Sequence, residues 1–358
     1  WRHWTEPQAG AETPKGGLLG TAFLIAHPSA NQEANELLQR AMMFTRFQGD
    51  PLRARTMVEQ ALKLDPNFAE ARTNYALTYI IAVESGISND PGDLFRAEEA
   101  LRRVIRENPE IARAHALLGA IHFFQGRHDL ARQTMLRAEQ MAPQDMGGRM
   151  WRIILGRFMG NPEQEAIELA HKMIETEPLF WPPRYHLGEL LREQGKTAEA
   201  IEQQKTVLEQ DATNVLALRC LARAYLDAGN LESAKEALGR VRPQDRGNFR
   251  VRVVRAQLHA LQGDRALALK EMDNEVLKYA DLQPFAALEV AEVYALLGEK
   301  EKSIEWLDRS MRKGDGRVDW IRRDPLLANV RQHPRFQQIL TSMEFRLQQG
   351  SPQATPHP

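Results

Sequence analysis

Three histidines lie close enough in the sequence to raise the question of a metal site. His115 and His122 are seven residues apart on one predicted helix, and His128 follows beyond a turn. Imidazoles that bind zinc from a single helix normally lie four residues apart, so this spacing does not suit the chemistry. We expect the three histidines to pack in the core, and the sequence predicts no metal site and no cofactor.

Other motifs that carry chemistry do not occur in the sequence. It contains no Gly-rich phosphate loop, Cys-x-x-Cys pair, nucleophile elbow or calcium loop. The single cysteine, Cys220, excludes an internal disulfide and a cysteine-based zinc site. Asp315 and Asp319 lie in a Gly-rich junction, where carboxylates cap turns more often than they bind ions. These observations predict that the protein is not an enzyme.

The composition indicates a folded chain without a dominant charge. Hydrophobic residues make up 43% and charged residues 27% of the 358 residues, and the formal net charge is -1. No global field attracts nucleic acid, which is therefore not an expected partner. The apolar stretch 18–26 is too short to span a bilayer, so no membrane span is expected in this chain. Because the sequence begins with Trp1, we expect an upstream signal, anchor or effector segment to have been removed.

A small residue that recurs at nearly constant spacing organises the chain. The intervals between its occurrences are 43, 34, 35, 34, 34, 34 and 35 residues. A period of 34 residues is typical of an array of helical hairpins in which each unit stacks on the next. The recurring residues are Ala54, Ala97, Ala131, Ala166, Ala200, Ala234, Ala268 and Ser303.

Glycines and prolines recur in the same register and mark the ends of the helices. A glycine four to six residues before most of the small residues suits the sharp turn inside each hairpin, and a proline ends several second helices. Together these patterns predict eight hairpins at about 35–66, 69–109, 112–143, 149–178, 181–212, 215–246, 249–281 and 284–313. The turn glycines are Gly49, Gly126, Gly160, Gly195, Gly229, Gly263 and Gly298.

Four segments are predicted along the chain. Residues 1–30 are expected to form an extended arm or linker, and residues 31–313 the superhelix of hairpins. Residues 314–345 are expected to form capping helices, because the last hairpin would otherwise expose its apolar face. Residues 346–358 are expected to be a flexible tail. The long 43-residue interval places about nine extra residues, 84–93, in the loop of the second hairpin, where solenoids tolerate insertion.

The first helices carry a Leu-Gly pair followed by a large residue, as in Leu118-Gly119 with His122 and Leu187-Gly188 with Leu191. This pattern resembles the tetratricopeptide repeat of bacterial proteins. The resemblance implies an all-α, right-handed α-solenoid superhelix that binds a protein or peptide. Residues 284–340 further resemble the C-terminal end of tetratricopeptide sensor regions in membrane-anchored transcriptional regulators and kinase-linked receptors. That likeness favours an extracytoplasmic location, periplasmic or at the cell surface.

The resemblance also indicates which side chains face the concave groove. Positions 2, 5, 6, 9, 12 and 13 of each hairpin point into it, and in this chain the middle of the groove is rich in arginine. Asn74 matches the asparagine with which peptide-binding members of the family bond the ligand backbone, whereas the lysine of the carboxylate clamp is not matched. The predicted groove residues are Asn74, Arg113, Arg157, Tyr185, Glu189, Arg219, Arg223, Arg250 and Gln257.

Three roles are compatible with the sequence. The first is a non-catalytic protein–protein interaction scaffold that holds an acidic or carboxylate-bearing segment in an open groove, because guanidinium forks match carboxylates. The second is a structural or assembly subunit that packs permanently on a larger complex. The third is the ligand-sensing region of a signalling or transcriptional regulator whose effector domain lies elsewhere. A groove open to solvent in the isolated protein would favour the first role.

Overall fold

The computed structural model describes residues 25–45, 49–156, 158 and 163–350. Helices make up 77% of the structure, and none of the residues described belongs to a β-strand. Almost all of the predicted arm, 1–30, lies outside the described residues, as do Arg157 and Gly160. Within the described ranges, no helix combines the length and apolarity that a membrane crossing requires.

Sixteen of the helical units form hairpins in chain order, as the repeat predicts. The first four pairs are α1 (Gln32–Met43) with α2 (Pro51–Leu64), α3 (Ala69–Glu84) with α4 (Gly92–Glu107), α5 (Ala112–Phe124) with α6 (His128–Met141), and α7 (Met146–Gly156) with α8 (Glu163–Thr176). The next two are α9 (Trp181–Glu193) with α10 (Thr197–Gln210) and α11 (Val215–Asp227) with α12 (Leu231–Gly239).

The seventh hairpin departs from this pattern. Its first helix is α13 (Phe249–Leu261), but the second is broken into α14 (Arg265–Glu271) and α15 (Asn274–Ala280). Asp273 causes the break, because its side chain accepts hydrogen bonds from the backbone amides that start α15. The eighth hairpin, α16 (Pro284–Leu296) with α17 (Lys300–Arg312), is regular again.

The recurring small residues lie where the two helices of each hairpin cross. All eight are buried, from Ala54 at 0% exposure to Ala166 at 8%. The glycines of the Leu-Gly pairs lie at the same crossing, on the other helix of the hairpin. A Cβ on Gly119 would lie 2.6 Å from Met135 Cγ, and one on Gly188 would collide with the Gln204 side chain. The prediction that small residues permit close helix packing is confirmed.

The eighth hairpin lies inside the superhelix and not at an open end. Helix α16 is buried on every side, as expected of a helix that is hydrophobic all round. The ring of Phe285 contacts those of Phe124 and Phe158, with centroids 6.5 and 5.4 Å away. Hairpins three and four therefore contact hairpin eight across the concave interior, and the superhelix is closed on itself.

The C-terminal segment packs against this closed body. It consists of α18 (Val318–Arg323), a 3-10 helix (Pro325–Val330) and α19 (Pro334–Gly350). Trp306 of hairpin eight and Phe336 of this segment are 8% and 0% exposed. Helix α19 continues to Gly350, past residue 346, where the tail was expected to begin.

The extra residues of the second hairpin cross the superhelix. We call residues 85–91, between α3 and α4, the strap. Asn248 donates from Nδ2 to the Ser85 carbonyl at 2.9 Å, and the Phe249 amide donates to the Gly86 carbonyl at 3.0 Å. The insertion, which the sequence indicated only as a lengthened loop, thus joins hairpin two to hairpin seven.

Candidate functional site

The predicted groove arginines meet in a buried ion network between α11 and α16. Arg219 donates to Glu289 at 2.9 Å and to the Tyr185 hydroxyl at 3.3 Å. Arg223 donates to Glu289 at 2.6 Å and to both oxygens of Glu292 at 2.9 and 3.0 Å. The two arginines are 0% and 2% exposed. Each guanidinium is therefore desolvated and bound by carboxylates of the same chain.

Helix α13 joins the network from the other side. Arg250 donates to the Glu84 carboxylate at 3.2 Å and to the Tyr185 hydroxyl at 3.3 Å. Gln257 donates from Nε2 to Glu292 at 2.6 Å. Because Glu84 ends α3, these contacts tie the second hairpin to the interior of the seventh.

A second set of ion pairs fastens α9 to its neighbours. Arg192 contacts Glu189 at 3.4 Å and Asp227 at 2.7 Å. Arg317, which precedes α18, pairs with Glu193 at 2.5 Å. Asp315 also pairs with Arg317. The Asp315 carboxylate thus fixes the Gly-rich junction, as expected of a carboxylate that caps a turn. All of these side chains are buried.

Burial and the paired charges shift the pKa values of the network carboxylates in opposite directions. Burial alone would raise the pKa of Glu289, but Arg223, Arg219 and Arg250 outweigh it and hold the pKa at about 2. Burial raises the pKa of Glu292 well above its usual value, and the nearby Asp324 raises it further although Arg223 opposes the shift. Asp324 Oδ2 has no donor among the described residues, which fits a proton shared with Glu292.

The expectation of an exposed, arginine-rich groove is wrong. Arg219, Arg223 and Arg250 are at most 4% exposed, and each is paired with glutamate. Sequence reasoning did not connect Glu289 and Glu292 with the arginines. No local signal in the sequence joins the two helices, because the glutamates lie 66 to 70 residues from the arginines they pair with.

The other predicted groove residues have different surroundings. Asn74 is 4% exposed and donates to the Glu70 carbonyl of its own helix at 2.9 Å, so its amide is engaged within α3. Arg113 is half-buried and pairs with Asp145 at 3.1 Å, while its Nε has no acceptor among the residues that the structure describes. Arg157 lies outside the described residues.

The histidines belong to the core, as expected. His115 bonds the Pro109 carbonyl at 3.0 Å, and His122 is 2% exposed with a pKa lowered by burial. His128 packs edge-on against Phe123 with ring centroids 5.4 Å apart. Across the described part of the chain, no group of three or more His, Cys, Asp or Glu side chains is arranged to hold a metal ion. Burial raises the pKa of the Cys220 thiol to about 12, which leaves it unreactive.

A cavity lies on the concave side, beside the ion network. Its volume is about 130 Å³, and it lies between α3, α5, α7 and α9. Arg113 lines its wall, and Glu84 and Tyr185 connect it to the network. Thr45, Ser85 and His186 also line it, and the remainder of the wall is apolar and comes mainly from aliphatic, aromatic and methionine side chains. These include Leu77, Ile81, Leu117, Met146, Met150, Trp151, Ile154, Phe180 and Trp181.

The described residues form a closed solenoid of helical hairpins with a concave cavity. Three family models, each describing a tetratricopeptide repeat, match residues 92–145, 191–258 and 250–273. The chain is a tetratricopeptide-repeat protein, and the fold predicted from the repeat is confirmed. Proteins built on these repeats act in general as scaffolds for protein interactions. No curated protein matches the chain in sequence.

Solved structures of other repeat proteins share this architecture. A human IFIT1 dimer with PPP-AAAA is similar with a TM-score of 0.56 and 18% identity, over 78% of this chain and 71% of that one. The APC/C hetero-tetramer Cut9-Hcn1 is similar with a TM-score of 0.55 and 14% identity, over 86% of this chain and 55% of that one. At such identities, the likeness concerns the fold alone.

Proposed function

We propose that this protein is an interaction scaffold that captures a partner by holding one phenylalanine-sized side chain of the partner in the concave cavity. The observation that carries the proposal is the cavity itself, about 130 Å³ in volume with a largely apolar wall. An engineered apolar cavity of about 150 Å³ binds benzene, so the space suits a single aromatic ring.

The wall chemistry supports an aromatic anchor. Trp151, Trp181 and Tyr185 offer ring edges and faces, and aromatic pairs gain from offset or edge-on contact. Met146 and Met150 add flexible thioethers that adapt to a ring. A buried apolar anchor in a pocket is also the feature that dominates the energy of protein interfaces.

Polar groups near the cavity support a peptide as the ligand. Arg113 is held in place by Asp145, and its Nε–H lacks an acceptor. A peptide carbonyl beside the anchor would supply that acceptor, so Arg113 keeps a role in binding under this proposal. An acidic segment is not supported, because glutamates of the chain already occupy Arg219, Arg223 and Arg250. The same pairing disfavours an oligonucleotide, whose phosphates need cations free of carboxylate partners.

Selection from a random peptide library displayed on phage tests the proposal. On the wild type we expect enrichment of peptides with one Phe, and benzyl alcohol should compete with them for binding. Ile81→Trp should abolish enrichment, because Ile81 is half-buried in the cavity wall and the larger side chain fills the space. Leu136→Trp, at a position on α6 that is 50% exposed, is the matched control and should select like the wild type. Equal binding of the enriched peptides to the Ile81→Trp variant would contradict the proposal.

The assembly-subunit role has one observation in its favour. Phe95 and Leu52 occupy equivalent positions in the first turns of α4 and α2, and they are 65% and 51% exposed. Exposed apolar side chains on neighbouring hairpins suit a surface that packs on another protein. If Phe95→Asp abolished capture of a cognate partner and Ile81→Trp did not, this role would replace the cavity.

The ligand-sensing role would use the same cavity for a free small molecule. The resemblance of residues 284–340 to sensor regions stays a prediction. Enrichment of no peptide, together with binding of benzyl alcohol to the wild type, would favour this role.

A further inference from the structure

The strap and the cavity share residues. Glu84 and Ser85 line the cavity, and Tyr185 lines it from the opposite side. The same three residues bond hairpin seven, since the Glu84 carboxylate and the Tyr185 hydroxyl bind Arg250 and the Ser85 carbonyl binds Asn248. Whatever fills the cavity therefore contacts the side chains and backbone that close the superhelix.

The strap has few other attachments to hairpin seven. Besides the bonds of Ser85 and Gly86, Asn89 donates to Glu275 at 2.7 Å, and both of these side chains lie near the surface. Short segments held by a few hydrogen bonds open more readily than packed helices. Among the described residues, the strap is thus held on hairpin seven by a small number of hydrogen bonds.

The fit at Gly86 shows how close the strap approaches α13. Gly86 has a φ of +78°, and a Cβ there would lie 2.8 Å from Arg250 Cγ and 3.1 Å from the Arg250 amide nitrogen. A side chain at residue 86 is incompatible with the closed contact. Gly126 provides a matched site, because its φ is +75° and a Cβ there would meet nothing within 4 Å.

We propose that filling the cavity and closing the strap are thermodynamically linked, so that a bound aromatic side chain holds the strap on hairpin seven and release of the strap lowers the affinity for the ligand. The inference rests on the proposed use of the cavity and adds its regulation. The ligand gains the contact with Ser85, the strap residue that lines the cavity, only when the strap is closed, which provides the differential affinity that such linkage needs. Linkage is reciprocal, so occupancy and closure change each other's equilibrium by the same factor.

Hydrogen exchange measured by mass spectrometry, with benzyl alcohol as the probe, tests the linkage. In the wild type, saturating probe should slow amide exchange in residues 85–91 and at Phe249, whose amide donates to Gly86. Gly86→Ala should speed exchange at both places and weaken probe binding by about fivefold or more. Gly126→Ala carries the same backbone strain without the contact and should leave probe affinity unchanged.

A milder variant keeps the test decisive if Gly86→Ala fails to fold. Asn89→Ala removes only the bond to Glu275 and should change exchange and affinity in the same direction by a smaller factor. Undiminished probe affinity in a folded Gly86→Ala variant, or probe binding that leaves strap exchange unchanged, would overturn the linkage and leave the cavity proposal standing. Absence of any probe binding to the wild type would overturn both.

Discussion

Arg223 on α11 and Glu292 on α16 form a two-pronged hydrogen bond, with the guanidinium Nη2 2.9 and 3.0 Å from the two carboxyl oxygens. The residues are 69 positions apart in the sequence, and both are almost completely buried. Their contact spans the concave interior from hairpin six to hairpin eight. The inner face that tetratricopeptide repeats usually offer to a ligand is, in this part of the chain, internal structure.

Charge reversal at Arg223 should therefore unfold the protein or greatly weaken it. Arg223→Glu would place a third carboxylate beside Glu289 and Glu292, and breaking a buried ion pair costs about 3–5 kcal/mol. Urea denaturation followed by circular dichroism measures the change in the free energy of unfolding. Arg242→Glu, at an exposed surface pair with Asp245, is the control and should change little. An unchanged unfolding midpoint in Arg223→Glu would show that the network does not form.

The raised pKa of Glu292 predicts how stability depends on pH. Folded protein keeps a proton that the unfolded chain releases near its ordinary carboxyl pKa of about 4.3. The free energy of unfolding should thus fall as the pH rises above that value, by at most about 1.4 kcal/mol per pH unit, until the raised pKa is passed. The lowered pKa of Glu289 has the opposite effect on stability and acts in a different pH range. The stabilisation that ionised Glu289 provides is lost as the pH falls toward about 2.

Denaturation at several pH values between 5 and 9, with Glu292→Gln for comparison, checks this prediction. The glutamine cannot ionise, so the variant should show a flatter dependence on pH than the wild type. Identical slopes in the two proteins would mean that Glu292 does not hold the proton.

Substitution at a hairpin crossing tests the repeat register. Ala200 is 1% exposed, and its carbonyl lies 3.3 Å from a Cβ placed on Gly188, so Ala200→Leu should overpack the crossing and cost about 1–3 kcal/mol. Ala198 lies on the exposed side of the same helix, and Ala198→Leu should stay within about 0.5 kcal/mol. Thermal denaturation distinguishes the two, and equal melting temperatures would contradict the register.

Removal of the C-terminal segment should destabilise the whole chain. Truncation after Lys313 deletes Arg317, which leaves Glu193 buried without its 2.5 Å partner, and uncovers the apolar face against which Phe336 packs. We expect aggregation or a lower melting temperature, measured by light scattering and differential scanning calorimetry. A truncated protein that stays monomeric and melts like the full chain would show that the segment is dispensable.

The sequence predicted the fold well because each hairpin is a local unit. The small residues and turn glycines that define a hairpin lie within 34 residues of one another. They predicted the repeat register correctly, as the burial of Ala200 and the turn at Gly195 show.

The site was harder to predict because it depends on contacts between distant hairpins. Nothing in the local sequence indicates that α16 turns inward. Arg219 and Arg223 were therefore expected to face solvent, whereas in the structure they face Glu289 and Glu292. The strap shows the same limit, since its partners Asn248 and Glu275 are more than 160 residues away. Superhelical closure is set by the sum of small rotations between hairpins, which a repeat pattern does not encode.

Nuclear magnetic resonance of methionine methyl groups tests the central claim, that the cavity is the part of the concave face left open to a ligand. The chain has 12 methionines, of which Met146 and Met150 line the cavity and Met311 is buried in α17. Titration with benzyl alcohol should shift the Met146 and Met150 signals in a saturable manner and leave Met311 unchanged. Signals of Met146 and Met150 that do not move, or that move no more than that of Met311, would contradict the account.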